Sequence, residues 1–179
     1  MDGSLAGRLV VATPALVDPN FHRAVVLILQ HDDEGAVGVV LNRPSTVTLA
    51  DALPDWGHLA APPSVVFLGG PVEPGGVVGL ARARSHPDGE TWRPVVGPVG
   101  VLDLSLPPGE VEVDQVRLFT GYAGWSPGQL EQEIAGGSWF VVDAQPDDAF
   151  ATDAHQLWRA VLTRQGGVYR TIPADPSLN

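Results

Sequence analysis

Residues 24–41 read Ala-Val-Val-Leu-Ile-Leu-Gln-His-Asp-Asp-Glu-Gly-Ala-Val-Gly-Val-Val-Leu. The first seven residues form a near-continuous branched apolar run, which is typical of a strand that is buried on both faces. The polar residues 31–35 are a turn signal, and residues 36–41 form a second apolar strand. We therefore predict a β-hairpin at this position, and we expect antiparallel strands to form the basis of the fold.

The rest of the chain continues the strand-rich pattern and adds few helices. Further strands are predicted at residues 9–12, 65–68, 77–80 and 99–104, within 111–122, and at 138–142, with helices at 48–55, 127–135 and 153–165. Because strands and helices do not alternate one for one, this order favours an α+β fold over a doubly wound sheet. We predict one domain over residues 1–172, with a mixed, mostly antiparallel sheet and a few flanking helices. A polar loop is expected at residues 85–90 and a loose tail at residues 173–179.

Composition excludes several classes of protein. The 179 residues are 44% hydrophobic and 17% charged, which is typical of an ordered domain. Apolar runs stop short of the ~20 residues that a transmembrane helix needs, and the acidic N-terminus lacks a signal-type apolar core. The chain contains neither cysteine nor lysine, so thiol nucleophiles, cysteine-based metal centres, Schiff-base chemistry and a Walker A loop are excluded. We expect a cytoplasmic protein without membrane contact, cofactor or metal.

The charge argues against nucleic acid as a partner. The formal net charge is −11, whereas nucleic-acid-binding proteins concentrate positive charge along one face. The ten basic residues are all arginines and are scattered along the sequence, with only Arg82 and Arg84 close together. We therefore expect no nucleic-acid binding.

The segment Gly121–Glu131 contains the most enzyme-like motif of the chain. Residues 124–128 read Gly-Trp-Ser-Pro-Gly, which matches the nucleophile elbow of serine hydrolases, and a strand-like run precedes them. An elbow uses the backbone N–H after the serine to bind the oxyanion, and Pro127 has no N–H. A helix start explains the same residues, with Ser126 as N-cap, Pro127 at the first position and Gln129 completing a capping box. We interpret Ser126 as a cap.

Several motifs together resemble the YqgE/AlgH family of bacterial proteins over nearly the whole chain. These motifs are Gly7-Arg8-Leu9, Ala12-Thr13-Pro14, residues 21–25, His31 with Glu34-Gly35, residues 38–44, Gly69-Gly70-Pro71-Val72, Gly121–Glu131 and Trp139. The resemblance implies an α+β fold with a bifurcated or barrel-like sheet and flanking helices. It implies no established activity, although some members carry a transcriptional-regulator label. Many relatives have a cysteine where this chain has Leu29, so no thiol role can be transferred.

Three other motifs have a structural and a functional interpretation. The run from His31 to Glu34 suggests metal ligands, but a hairpin turn spreads adjacent side chains apart, and carboxylates in turns usually accept from backbone amides. Gly69-Gly70-Pro71, together with Gly75-Gly76, suggests an anion-binding nest or, more simply, a tight turn with a close backbone approach. Arg43, at the end of a strand, can bind a ligand carboxylate or pair with Glu131 or Glu133.

The loops that follow strands are the expected functional surface, because strands position binding groups and loops expose them. We predict that at least three of four such exits meet in one concave patch for a small molecule or a protein, with Arg43 at its centre and Trp125 at its wall. The residues of this patch are Thr13, Pro14, Asn42, Arg43, Gly69, Gly70, Tyr122, Trp125 and Gln129.

The function that the sequence favours is a binding or regulatory module that acts through protein or small-molecule contacts, with no catalytic residues. Two alternatives stay open. The first is a hydrolase that uses Ser126, with His155 following it in the order of a catalytic triad, or a site centred on His31. The second is a transcriptional regulator that contacts DNA directly. The sequence does not indicate the oligomeric state.

Overall fold

The predicted hairpin is present and lies in the middle of the sheet. Strand β2 (Val25–Asp32) pairs antiparallel with β3 (Gly35–Val40), with Ile28 opposite Gly38 and Asp32 opposite Gly35. The carboxylate of Asp32 accepts a hydrogen bond from the backbone N–H of Glu34 at 2.8 Å, so it stabilises the turn as predicted.

The computed structural model describes residues 3–85 and 91–172, so the expected tail and residues 86–90 of the expected polar loop lie outside the described residues. The other strands are β1 (Arg8–Ala12), β4 (Pro44–Thr48), β5 (Val65–Leu68), β6 (Val72–Ala83), β7 (Trp92–Val96), β8 (Val99–Leu102), β9 (Val113–Trp125) and β10 (Trp139–Asp143). The α-helices are α1 (Leu49–Ala52), α2 (Gln129–Ala135) and α3 (Leu157–Gln165). Short 3₁₀ helices span Pro54–Leu59, Pro146–Phe150, Ala154–Gln156 and Gly167–Thr171. None of the described helices is long and apolar enough to cross a bilayer.

The ten described strands form one sheet in the order β10-β1-β2-β3-β9-β6-β8-β7, with β4 and β5 branching from this path. The branch begins at β9, which pairs antiparallel with β3 through residues 123–125 and in parallel with β5 through residues 119–120. The sheet is thus mixed but mostly antiparallel. Within the described residues it stays open between β10 and β7, so the barrel-like alternative is wrong.

The two faces of the sheet are buried by different elements because strand side chains alternate between faces. Leu27 points to a core that includes Trp158 and Leu162 of α3, while Ile28 points to a core that includes Leu130 of α2. This arrangement confirms burial on both faces for residues 24–28 of the run, whereas Leu29 is half-buried and Gln30 is exposed. A third apolar cluster, around Trp56, lies where α1 and the first 3₁₀ helix pack against β6, β8 and β9.

The sequence missed strands β4 and β7. Strand β4 is mostly exposed and rich in serine and threonine, and β7 contains Pro94, so neither carries the apolar alternation of a typical strand. Strand β6 also begins five residues before the predicted start, because a bulge interrupts its pairing with β9 between Val72 and Val77.

Candidate functional site

An open pocket of about 350 Å³ lies where β3, β5 and β9 diverge. We call it the Arg43 pocket. Its apolar wall consists of Val40, Leu68, Pro71 and Pro74, and its polar groups are Asn20, Arg43 and Thr120, with Gly70 at the base. Leu68 is 49% exposed, which is unusual for a leucine in a strand and leaves apolar surface available inside the pocket.

The wall of this pocket is held by backbone segments that approach very closely. The Gly69 N–H donates to the Thr120 carbonyl at 2.7 Å, and the Gly69 carbonyl accepts from the Val40 N–H at 2.9 Å. Gly70 has φ +153°, and a Cβ at this position would lie 2.5 Å from the Ala123 nitrogen and overlap the Tyr122 carbonyl group. The structure therefore confirms the predicted tight turn with a close backbone approach.

The bulge of β6 forms the opposite wall of the Arg43 pocket. Pairing along β9 passes from Val72 opposite Tyr122 to Val77 opposite Thr120, which leaves residues 73–76 outside the ladder. Pro74 lies in this bulge and lines the pocket. Glu73 adopts φ +46°, which few non-glycine residues adopt. In the sequence, only the glycine and proline content of the segment indicates this wall.

Asn42 and Arg43 fix the loop at residues 18–25. The Arg43 guanidinium donates to the carbonyls of Pro19 at 3.0 Å and His22 at 2.7 Å. The Asn42 side chain accepts from the Val25 N–H at 3.0 Å and donates to the Arg23 carbonyl at 2.9 Å. The expected ion pair of Arg43 with a glutamate of α2 is therefore wrong, because the loop carbonyls occupy its donors.

Arg43 keeps donors for a ligand. A guanidinium has five N–H groups, and two of them bind the loop, so three remain. Burial lowers the pKa of Arg43, and the nearby carboxylate of Asp18 opposes this shift. Arg43 thus places a positive charge in a pocket whose lining is mostly apolar.

Trp125 lies in a different place from the one that we predicted. It packs against Phe21 and Trp139, with ring centroids 6.3 and 5.9 Å away, and it is only 7% exposed. Its indole N–H and that of Trp139 both donate to one oxygen of Glu133, at 3.0 and 2.9 Å. The small depression that Trp125 lines contains Gln30 and residues of the β2–β3 turn instead of Arg43.

The remaining residues of the predicted patch are spread over several places. Gly70 and Arg43 share the Arg43 pocket, Asn42 lies beside Arg43 in a smaller depression, and Tyr122 lines a third depression next to Glu73. The Thr13 hydroxyl donates to the Gly137 carbonyl at 2.7 Å, and the neighbouring Pro14 is buried. Ligand binding by the nine residues stays a prediction.

The start of α2 differs from the predicted cap. The N-cap is Gly128, in a left-handed conformation at φ +75°, and the helix begins at Gln129. The Ser126 hydroxyl donates to the Gln129 side-chain oxygen at 3.2 Å, and the Ser126 N–H donates to the same oxygen at 3.0 Å. Of the two hydrogen bonds of a capping box, only the one from the Ser126 N–H to the Gln129 side chain is present among the described residues. The prediction of Ser126 as the N-cap is therefore wrong. Among the described residues, no histidine or carboxylate is hydrogen-bonded to the Ser126 hydroxyl, as a serine nucleophile would require.

His31 has a structural position. Its Nδ1 accepts from the Leu5 N–H at 2.9 Å, and its Nε2 lies 3.1 Å from the carboxylate of Glu131. These contacts connect the N-terminal segment, β2 and α2. Within residues 3–85 and 91–172, no three histidine or acidic side chains come together as metal ligands.

The sequence motifs and the fold agree with one known family. A sequence model of the AlgH-like family (DUF179) matches residues 9–170. The chain belongs to this family. It is 51% identical to a UPF0301 protein of Streptomyces coelicolor over 98% of this chain and 96% of that protein. It is 43% identical to a UPF0301 protein of Thermobifida fusca, again over 98% of this chain and 96% of the relative. The resemblance seen in the sequence is confirmed.

Two solved structures share the fold. The crystal structure of a protein from Corynebacterium diphtheriae is 31% identical, with a TM-score of 0.87 over 93% of this chain and 90% of that chain. The solution structure of the AlgH protein from Pseudomonas aeruginosa is 26% identical, with a TM-score of 0.70 over 93% of this chain and 92% of that chain.

Proposed function

We propose that this protein is a binding module, and that the Arg43 pocket receives a compact apolar group that carries a carboxylate. Such a group belongs to a small molecule or to the C-terminus of a peptide. The observation that carries the proposal is the combination of one guanidinium with an apolar wall, a combination that is common in ligand pockets.

The size and rigidity of the pocket support this proposal. Its volume of about 350 Å³ lies within the range of small-molecule sites. The backbone of its wall is fixed by the contacts of Gly69 and Gly70, so binding would cost little conformational entropy. Leu68 supplies apolar area, and the free N–H groups of Arg43 match the two oxygens of a carboxylate.

The test is a screen of carboxylate-bearing metabolites and short peptides by thermal shift, followed by NMR mapping of each hit. A ligand of the Arg43 pocket should shift the amide signals of Leu68, Gly70 and Thr120. Leu68→Trp fills the pocket and should abolish binding. Val168→Trp places the same side chain at another exposed apolar position, which is 76% exposed and does not line the pocket, and should leave binding intact. If hits bind Leu68→Trp as tightly as the parent protein, the pocket is not their site.

A further inference from the structure

A second depression, of about 180 Å³, shares Arg43 with the Arg43 pocket. We call it the basic depression. It lies between the residue 18–25 loop and the start of α3, and its lining includes His22, Arg23, Asn42, Arg43, His155 and Trp158. Three separate regions of the sequence therefore supply one surface, and the third lies more than 100 residues after the other two.

The basic depression concentrates positive charge in a protein whose net charge is −11. Arg23, Arg43 and Arg159 are three of the ten arginines, and the four arginine–carboxylate ion pairs of the described residues involve none of them. Asp18 offsets part of this charge through its interaction with Arg43. The remaining excess is what an anionic ligand would neutralise.

Trp158 positions two of these arginines. The guanidinium carbons of Arg23 and Arg159 lie 5.1 and 5.0 Å from the centroid of the Trp158 ring, within the range of cation–π contact. The ring is 1% exposed, and its N–H donates to the Ala12 carbonyl at 2.8 Å, so its orientation is fixed. Among the described residues, neither guanidinium donates to a protein acceptor. Two like charges thus share one aromatic ring with their N–H groups unused.

The backbone of Arg23 is strained. Its φ of +57° is left-handed, which costs a β-carbon-bearing residue stability relative to glycine. The Asn42 side chain holds this conformation by its hydrogen bond to the Arg23 carbonyl. Strained residues that are held in place in this way cluster at ligand sites, where the strain fixes a side chain in its binding position.

We propose that the basic depression binds the phosphoryl group of a small metabolite. The tetrahedral oxygens of a phosphoryl group accept from several convergent donors. Arg23 and Arg43 line the depression, and Arg159 contacts the Trp158 ring, which also lines it. The volume of the depression is below that of drug-sized pockets, so it accommodates the phosphoryl end and leaves the rest of the ligand outside. Arg43 lines both this depression and the Arg43 pocket, but Arg23 lines only the depression and Leu68 only the pocket, so variants at these two residues test the two sites separately.

The test is titration of the full chain with inorganic phosphate, methyl phosphate and acetate, followed by calorimetry and by NMR of the arginine side-chain N–H groups. Phosphate and methyl phosphate should bind saturably and shift the signals of Arg23 and Arg159, and acetate should bind at least about tenfold more weakly. Arg23→Asn removes the charge and suits the left-handed backbone, and Arg159→Gln removes the other charge. Each variant should weaken phosphate binding about tenfold or more.

Arg93→Gln is the matched control, because Arg93 is an exposed arginine in β7 that lines other depressions. It removes the same charge and should leave phosphate binding unchanged. Three outcomes overturn the proposal: no saturable phosphate binding up to about 20 mM, acetate shifts of the Arg23 and Arg159 signals that equal those of phosphate, or equal weakening by all three variants. Thermal melts of each variant establish that it is folded before binding is compared. Because these experiments do not depend on Leu68, they can fail while the carboxylate site in the Arg43 pocket stands.

Discussion

Replacement of Gly70 by alanine tests whether the close backbone approach holds the Arg43 pocket together. Gly70 has φ +153°, and the new Cβ would overlap the carbonyl group of Tyr122. The overlapped atoms belong to the backbone of β9, which is paired on both sides and has little room to move. We therefore expect Gly70→Ala to be strongly destabilising.

Two other glycines separate the contributions to this effect. Gly128 also has a left-handed φ, at +75°, but a Cβ there meets nothing within 4 Å, so Gly128→Ala should cost only the backbone term of about 1–2 kcal/mol. Gly75 lies outside the positive-φ region and is equally open, so Gly75→Ala should change stability by about 0.5 kcal/mol or less. Gly70→Ala combines backbone strain of about 1–3 kcal/mol with overpacking of about 1–3 kcal/mol, roughly 2–6 kcal/mol in total.

The assay is urea unfolding of the three variants and the parent protein, monitored by tryptophan fluorescence and circular dichroism. We expect Gly75→Ala to be the most stable variant, followed by Gly128→Ala and then Gly70→Ala. The slope of the unfolding free energy against urea concentration should be unchanged. For a chain of this size, each kcal/mol lowers the melting temperature by about 2–4 °C. If Gly70→Ala is no less stable than Gly128→Ala, then the wall of the pocket is not fixed by this contact.

The structure and the net charge lead to four further predictions. Arg117 is 1% exposed and donates to the carbonyls of residues 61, 62, 149 and 151. Arg117→Met leaves these carbonyls without their donor and should cost about 1–3 kcal/mol in urea unfolding, whereas Arg93→Met at the surface should cost little. Burial lowers the pKa of Arg117 to about 10 in the folded protein, so the unfolded chain holds this proton more tightly. The parent protein should therefore gain stability relative to Arg117→Met above pH 10, by up to about 1.4 kcal/mol per pH unit. A difference in unfolding free energy that narrows above pH 10 would refute this reasoning. Ser126→Ala should lower the free energy of unfolding by less than about 0.5 kcal/mol, because Ser126 does not cap α2. A loss above about 1 kcal/mol would show that Ser126 is an N-cap after all. The protein should not shift duplex DNA in a gel at micromolar concentration and ~0.15 M salt, given its net charge of −11, and a salt-sensitive shift under these conditions would contradict the charge argument.

Local patterns predicted the individual elements well. The long apolar run of β2 predicted both the strand and its burial on two faces. The helix predicted from residue 48 also begins at this point, where the Thr48 hydroxyl accepts from the Asp51 N–H at 3.1 Å. The predicted start of α2 was wrong because two different N-cap positions fit the same residues. Gly128 is the N-cap and takes a left-handed conformation, so α2 starts two residues later than it would with Ser126 as N-cap.

The candidate sites were less predictable than the elements. The sequence correctly singled out the turn at Gly69 and Gly70, since paired glycines after a strand indicate a close approach. It placed Trp125 beside Arg43 because both follow strands, whereas the aromatic contacts of Trp125 with Phe21 and Trp139 place it in the core on one face of the sheet. Exposure of a tryptophan depends on which distant side chains cover it, and no local pattern reports that.

The sequence by itself determined the family, the strand-rich α+β architecture and the absence of cysteine and lysine chemistry, because composition, periodicity and turn residues act over a few neighbouring positions. Only the tertiary structure decided which strands pair, where the sheet branches at β9, and which side chains meet. The arginines at 23, 43 and 159 are scattered in sequence, yet they gather around the basic depression and Trp158. The physical reason is that strand pairing and core packing join segments more than 100 residues apart. The free energy that selects these pairings is the sum of contacts throughout the core, which no short stretch of sequence determines.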